Sequence, residues 1–592
     1  MKTNDRQITD LMQAVDTGLA QLPDFQRSWV WDDGRIKSLI ASVVHRFPVG
    51  AAMFLEYGNA NIRFRYRPIE GAACAGQNVV PSELILDGQQ RLTSLYAALY
   101  SEKPVHTRTD KGKEIECYYY INIEKALDPD ADDDEMILSV PKSRKVTSNF
   151  GRVVQLDLST PDQEYAAKLF PLNQILDFAK VMVWQNGYQA YHHFDADAAR
   201  LFLTFSTEVI TRVQRYVMPV ITLDKETSKE AVCRVFENVN TGGVSLTVFE
   251  LVTAVFAMDD FELRTDWETR QAGHFSGDIL SAVTATDFLT ALTLLASYRH
   301  GGTVSCKKKD VLNLSLQDYR AFAGPLTAGF VEAEKILQEE RVFVSRDLPY
   351  TTQLIPLAAL CTVLLDGNRI RTTNVKNKIK QWYWCGVFGE LYGAANETRY
   401  ANDMVQVLDW IGGADLPKTC QEAYFNPLRL LSMQSRQSAA YKGTMALILK
   451  NHSQDFISGR DMDFTVYQSE GVDIHHIFPK VYCEEQKLPK QKWNSIINKT
   501  PVSYGTNRTI GGSAPSKYLA KIEKNGQVDR ATLDQYLESH WIDPLCCRGD
   551  DFDLFLVNRA KKLLDAIEAV TGRTITGRDS EEVIASFGAS LK

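Results

Sequence analysis

The chain has 592 residues, too many for one hydrophobic core, so length alone predicts two to four domains. A hydrophobic content of 44% and a charged content of 24% are ordinary for a soluble globular protein, and a net charge of −8 argues against a molecule coated in basic surface. Ten cysteines without a Cys-x-x-Cys spacing argue against a zinc knuckle or a disulfide framework and for a reducing compartment.

Met1 to Arg6 lacks an apolar signal core, and the longest apolar runs, such as Leu354 to Leu365, are too short to span a bilayer. A cytoplasmic protein with no membrane partner is therefore expected. Charge is unevenly spread. From Lys480 to Arg530 ten Lys and Arg stand against four Asp and Glu, a local +6 that leaves −14 for the rest. Such a basic stretch suits a polyanion, although a solvated basic face is the commoner meaning of a charge run by itself.

Residues 1 to about 260 read as mixed α and β. An aromatic loop runs from Pro23 to Trp31, and Ile36, Leu39, Ile40 and Val43 follow at helical spacing. Ala51 to Tyr57, the alternating Arg63 to Arg67, and Ser82 to Leu86 read as strands. Asp87-Gly88 turns the chain, and Leu92, Leu95, Tyr96 and Leu99 mark a helix face. Cys117 to Ile123 is a further strand, Asp128 to Glu135 an acidic loop, and Tyr216 to Leu223 another strand. Thr227-Ser228-Lys229-Glu230 has capping-box spacing and opens a helix that Asn240-Thr241-Gly242-Gly243 breaks. Residues 261 to about 430 are mainly helical, with Ala285 to Tyr298 and Pro356 to Leu365 as core stretches and Trp382-Tyr383-Trp384 as core aromatics. A helix from Ala439 to Lys450 leads to the last segment.

Two places carry candidate chemistry. In Ile85 to Thr93, a strand enters an Asp87-Gly88 turn and then a helix N-terminus, whose free N–H groups face an anion. Arg91 can fork onto phosphate oxygens, Asp87 can hold a cation or position water, and Gln89 and Gln90 offer donors and acceptors. Many strand–turn–helix units carry such residues for structure alone, and no Walker motif is present. The second place is Asp473-Ile474-His475-His476-Ile477-Phe478-Pro479-Lys480, a strand running into a turn. Alternation points His475 and His476 to opposite faces, so one can face a metal and the other a substrate. Metal-assisted phosphodiester cleavage needs a cation on the phosphate and a neutral imidazole to deprotonate water. Asn498 to Val502 reads as a return strand, and the stretch from Asn507 toward Leu519 includes a short helix.

The order His475-His476, Asn498, Asn507 resembles the HNH nucleases, and more closely the C-terminal HNH domain of GmrSD-type restriction enzymes, over roughly residues 431 to 570. Asp87-Gly88-Gln89-Gln90-Arg91, Pro23-x-Phe25-Gln26-Arg27 with Trp31, and Phe236-Glu237-x-x-Asn240-x-x-Gly243-x-x-Leu246 resemble three ordered elements of the GmrSD N-terminal domain, similar in fold to ParB and sulfiredoxin.

The resemblance implies an α+β multidomain protein. A ParB-like, nucleotide-hydrolysing α+β domain (1–260) would precede a helical connecting region (261–430) and a mainly helical domain with a ββα-metal HNH motif (431–592). It makes His476 the general base, His475 and Asn507 metal ligands, and Asn498 the residue that holds the loop and orients the base; Asn498 could equally be a structural turn residue. Arg508 and Lys517 would contact DNA phosphate, or be plain surface charges. Gln26, Arg27, Asp87, Gly88, Gln89, Gln90 and Arg91 would form the nucleotide pocket, with Asn240 and Gly243 as weaker members that could simply cap a helix. The implied cofactors are a divalent metal, Mg²⁺ or Mn²⁺ with other transition metals open, and a nucleoside triphosphate, GTP or ATP. The implied partner is modified phage DNA, and a homodimer is left open. The implied activity is modification-dependent, nucleotide-regulated type IV restriction. The alternatives are a nuclease whose N-terminal domain reads DNA without hydrolysing nucleotide, and a non-enzymatic DNA-binding regulator.

Overall fold

The computed structural model describes residues 2–592 apart from 27, 28, 30, 60, 61, 130, 149–152, 229, 230, 233–246, 394, 395, 464–471, 526 and 527. Arg27, Asn240, Gly243 and most of the helix expected after Thr227 lie outside the described residues. The chain divides into two compact units, Met1–Glu262 and Leu263–Lys592. The expected helical region and the histidine segment thus belong to a single unit.

In the first unit the strands are β1 (Lys2–Gln7), β2 (Ala20–Pro23), β3 (Ala52–Glu56), β4 (Tyr66–Arg67), β5 (Glu83–Asp87), β6 (Val105–Arg108), β7 (Glu114–Asn122), β8 (Ile137–Pro141), β9 (Lys145–Ser148), β10 (Val153–Asp157), β11 (Leu169–Pro171) and β12 (Val217–Leu223). A mixed six-stranded sheet has the order β1-β12-β3-β5-β2-β4. β7 is the centre of a second sheet, flanked by β11, β6 and β8, while β9 and β10 form a separate pair. Three helices, α1 (Ile8–Asp16), α2 (Asp33–Val44) and α3 (Gln89–Leu99), contribute to the core. Each buries residues at helical spacing: Ile8, Leu11, Met12 and Val15; Ile36, Leu39, Ile40 and Val43; Leu92, Leu95, Tyr96 and Leu99. Asp32 caps α2 by accepting from the Arg35 N–H at 2.9 Å.

Two local expectations are corrected. The alternating Arg63–Arg67 stretch yields only the two residues of β4, because beyond the Asp24 N–H bond to the Arg65 carbonyl (2.9 Å) the Arg63 N–H turns away to the Ala254 carbonyl (3.1 Å). The acidic Asp128–Glu135 loop closes with a helical turn, Asp133–Met136, anchored by the buried Met136.

The second unit is helical apart from one hairpin, β13 (Val472–His476) with β14 (Lys499–Ser503), among its described strands. The Ala285–His300 helix starts at a Thr284 capping box, and in the Leu354–Leu365 helix Pro356 sits in the first turn, where no N–H is missed. Trp382, Tyr383 and Trp384 are core residues at 1% exposure or less. Glu340 is also fully buried, neutralised by Lys380 and Lys450 and held by the Trp384 indole N–H at 2.7 Å. Burial pushes its carboxyl up, but the two ammonium groups outweigh burial and hold it below the usual range.

The nine cysteines among the described residues are free and buried. No helix among the described residues is long and apolar enough to cross a membrane.

Candidate active site

β13 and β14 pair antiparallel, with Asp473 opposite Val502, His475 opposite Thr500 and His476 opposite Lys499. Ser503 then caps the Tyr504–Ile510 helix, which carries Asn507 and Arg508. Strand alternation sends Asp473 and His475 to one face and Val472, Ile474 and His476 to the other.

On the first face, His475 Nδ1 lies 2.9 Å from Asn507 Oδ1, and Asn507 Nδ2 donates to Asp473 Oδ2 at 3.1 Å. The Asp473 bond turns the amide oxygen toward His475, so Nδ1 carries the proton. The ring is 3% exposed and its Nε2 has no hydrogen-bond partner among the described residues. Burial lowers the His475 pKa to about 4, so the imidazole is neutral at physiological pH.

This donor set fits a divalent cation. Two neighbouring ligands each about 2.1 Å from a small cation lie about 3 Å apart, which matches the imidazole and amide, and Asp473 adds a carboxylate next to them. A cation there would replace the proton of the His475–Asn507 hydrogen bond. Among the described residues no three His, Cys, Asp or Glu side chains form a ready cage. The set therefore relies on the Asn507 amide and on oxygens from outside the protein, as Mg²⁺ tolerates.

On the opposite face His476 Nε2 lies 3.2 Å from Asn494 Oδ1, and Asn494 Nδ2 reaches Gln434 Oε1 at 3.5 Å. The amide thus accepts from Nε2–H, which leaves Nδ1 as the basic lone pair. Burial, followed by the nearby ammonium groups of Lys499 and Lys480, lowers the His476 pKa, and the ring stays neutral. A half-buried neutral imidazole with one nitrogen held and the other open is suited to taking a proton from water.

Asn498 is fully buried and grips the loop between the strands. Its Nδ2 donates to the carbonyls of Phe478 (2.9 Å) and Trp493 (2.8 Å), and its Oδ1 accepts from the Phe478 N–H at 2.8 Å. It reaches His476 only through this backbone; Asn494 is the residue that touches the ring. Further support comes from Arg559, fully buried, which donates to the carbonyls of Lys499 (2.8 Å) and Ile497 and to Thr500 Oγ1. Thr500 in turn donates to His540 Nδ1 at 2.6 Å, and His540 Nε2–H donates to the Gln454 carbonyl at 2.8 Å. Arg508 and Lys517 are exposed, with the Arg508 guanidinium 5.5 Å from the Tyr504 ring centre.

Sequence reasoning missed Asp473, Asn494 and Lys499. Asp473 was discoverable, since it stands two residues before His475 on the same strand face. Asn494 comes from the loop before the return strand, and spacing alone does not reveal it.

In the first unit, β5, Gly88 and α3 form the expected strand–turn–helix corner. Gly88 is left-handed at φ +90°, and a Cβ there would stand 3.3 Å from the Ala52 Cβ. The side chains at the corner are largely engaged. Arg91 donates to the carbonyls of Val49 (2.6 Å) and Ala51 (2.9 Å) and to Asp87 Oδ2 (3.3 Å). Gln26 Nε2 donates to the Ile85 and Leu86 carbonyls at 2.7 and 3.1 Å. Gln89 is buried, and the main-chain carbonyl of Gln90 accepts from Ser94 Oγ at 2.7 Å. A cleft of about 590 Å³ opens at the other end of α3, along Asp16, Tyr96, Tyr100 and Lys180, and none of the corner residues lines it.

Residues 8–257 match the family model of the GmrSD restriction endonuclease N-terminal domain. A protein of Methanocaldococcus jannaschii, named "Uncharacterized protein MJ0686", is 26% identical over 562 residues, which is 91% of this chain and 91% of that protein. The likeness therefore runs through both units. The family match covers residues 8–257, all within the first unit.

Proposed function

We propose that the chain is a modification-dependent DNA endonuclease whose hairpin site hydrolyses phosphodiesters in the HNH manner. The observation that carries this reading is the two-faced hairpin: a cation-fitting set of His475, Asn507 and Asp473 on one side, and a neutral, oriented His476 on the other. The match to a restriction endonuclease domain supports DNA as the substrate.

In this reading His476 Nδ1 takes a proton from water, the resulting hydroxide attacks phosphorus, and the bond to the leaving oxygen breaks with that oxygen taking up a proton from solvent. A divalent cation, Mg²⁺ or Mn²⁺, supplies Lewis-acid stabilisation of the charge on the phosphoryl group. Asn494 keeps the base in the Nδ1-open tautomer, and Asn498 keeps the loop from drifting. Arg508 and Lys517 are placed on the surface, where they can meet backbone phosphates.

The N-terminal domain is read as a binder and hydrolyser of GTP or ATP that regulates cutting. A second reading, in which that domain contacts DNA without hydrolysing nucleotide, is kept because one observation weakens the nucleotide pocket at this corner. Arg91, the expected phosphate fork, already serves three protein acceptors.

The test is cleavage of modified phage DNA and matched unmodified DNA with Mg²⁺ or Mn²⁺, with and without nucleotide, by wild type and His476→Ala. Cutting of modified DNA only, lost in the variant, is expected. Equal cutting by both proteins would sink the site assignment, and absence of phosphate release from GTP and ATP would select the second reading.

A further inference from the structure

The His476 face of the hairpin holds a buried lysine that meets no described carboxylate. Lys499 stands directly opposite His476 in the ladder, so the two side chains share a face, a Cβ separation of about 5 Å apart. It is 6% exposed. Among the described residues its ammonium meets the Gln434 carbonyl at 2.6 Å and the Tyr441 ring at 5.7 Å, and no carboxylate. Burying a cation without a counter-charge is costly, and an apolar residue would fill the space more cheaply. Gln434 also joins Lys499 to the base, because its side chain receives Asn494, which in turn holds His476.

Cations outnumber anions on the surface beyond, where Arg341, Arg436 and Lys442 stand against Asp347. A cavity of about 40 Å³ borders Ile474 and Pro501 on this face, and Arg436 and Lys442 stand on its wall. Lys442 is itself partly buried, with its ammonium on the Leu348 carbonyl at 3.0 Å.

We infer that Lys499 is a further catalytic residue, its ammonium completing its coordination with a non-bridging oxygen of the scissile phosphate beside His476. This rests on the nuclease reading of the hairpin. The counter-charge that no described residue supplies is then the substrate: the phosphodiester enters, the buried ammonium gains its anion, and the same ammonium opposes the extra charge that builds on phosphorus during attack. The carbonyl of Gln434 holds the group in position before DNA arrives. Burial lowers the Lys499 pKa to about 8, which leaves it mostly charged at neutral pH and makes its charge fade in mildly alkaline solution.

The experiment compares full-length wild type, Lys499→Met, Lys499→Arg and His476→Ala. Single-turnover cleavage is measured with Mg²⁺, and DNA affinity across a salt series with Ca²⁺ in its place. Lys499→Met should cut about 100-fold more slowly, with a salt slope of binding lower by about one and an unaltered or higher melting temperature. Lys499→Arg should recover part of the rate. Wild-type rate and slope in Lys499→Met, with His476→Ala inactive, would overturn the inference and leave the nuclease reading standing. If wild type does not cut at all, the nuclease reading fails, and an unchanged salt slope then rejects the lysine's phosphate contact independently.

Discussion

The hairpin of the second unit and the β5–α3 corner of the first both gather polar residues at a turn, yet they differ in what those residues touch. At the corner Arg91 and the Gln26 amide nitrogen are committed to main-chain carbonyls, as staples are. At the hairpin the polar atoms stop short: His476 keeps one nitrogen open, and Lys499 meets no described carboxylate. Buried polar groups are normally satisfied, so those left open mark where something from outside belongs. The contrast is one of degree, since Gln26 Oε1 is also without a partner among the described residues.

The largest expected effect comes from breaking the open side. His476→Ala should lower cleavage about 10³-fold, within the range for a lost general base, while the melting temperature barely moves because no described carbonyl or amide loses a structural tie except Asn494. A variant that cuts well would mean that the hairpin's open nitrogen is not the base.

The corner should respond in the reverse sense. Arg91→Met leaves the Val49 and Ala51 carbonyls and Asp87 without their donor, at a cost of about 2–3 kcal/mol in the stability of the first unit. Gly50, left-handed at φ +86°, is part of the same staple, because a Cβ there would stand 2.5 Å from Arg91 Nη1. Calorimetry that resolves the two units checks this: a lowered first-unit transition is expected, with the second unmoved. An unchanged transition together with lost nucleotide binding would turn the corner from a staple into a ligand site.

What the sequence made legible follows from range. Strand alternation alone separates His475 from His476, and helix periodicity alone finds α2, α3 and the Ala439–Lys450 helix. The Asn498 bond to Trp493 spans only five residues and sits where a turn residue was expected, whereas its bond to Phe478 spans 20. The pairing of β1 with β12, which brings Gln7 beside Val217, carries no local signal. Nor does the Gln434 carbonyl that meets Lys499, 65 residues away, or Arg559, whose guanidinium crosses 60 residues to hold β14. Asn494 shows the intermediate case: it is near in sequence, but only the folded loop turns it toward His476.

A pH effect of medium size separates stability from chemistry in the hairpin unit. Burial lowers the His540 pKa to about 3, well below its value of about 6.5 in an unfolded chain. A depressed histidine means that the unfolded chain binds the proton first. Its stabilising contribution is complete above pH 6.5 and is lost as pH falls through the window between about 6.5 and 3. Between pH 7 and pH 5 the loss is about 2 kcal/mol. Denaturant unfolding of wild type and His540→Gln at both pH values measures it: the variant should lose less on acidification, and equal losses would place the proton elsewhere.

The smallest effect is the most discriminating, because it asks whether the hairpin's open nitrogen is held open. Asn494 Oδ1 accepts from His476 Nε2, which keeps the lone pair on Nδ1. Removing that acceptor in Asn494→Ala lets the ring turn and exchange tautomers, and a loss of about tenfold in rate is expected, about 1.4 kcal/mol, with DNA affinity unchanged. Asn494→Asp keeps the acceptor and adds a negative charge, which favours the imidazolium and raises the His476 pKa. Its rate should approach wild type at high pH, and the acid limb of its pH–rate profile should shift upward. A profile superimposable on wild type in Asn494→Asp would show that Asn494 does not address the base, and the hairpin would then resemble the corner more closely than its open atoms suggest.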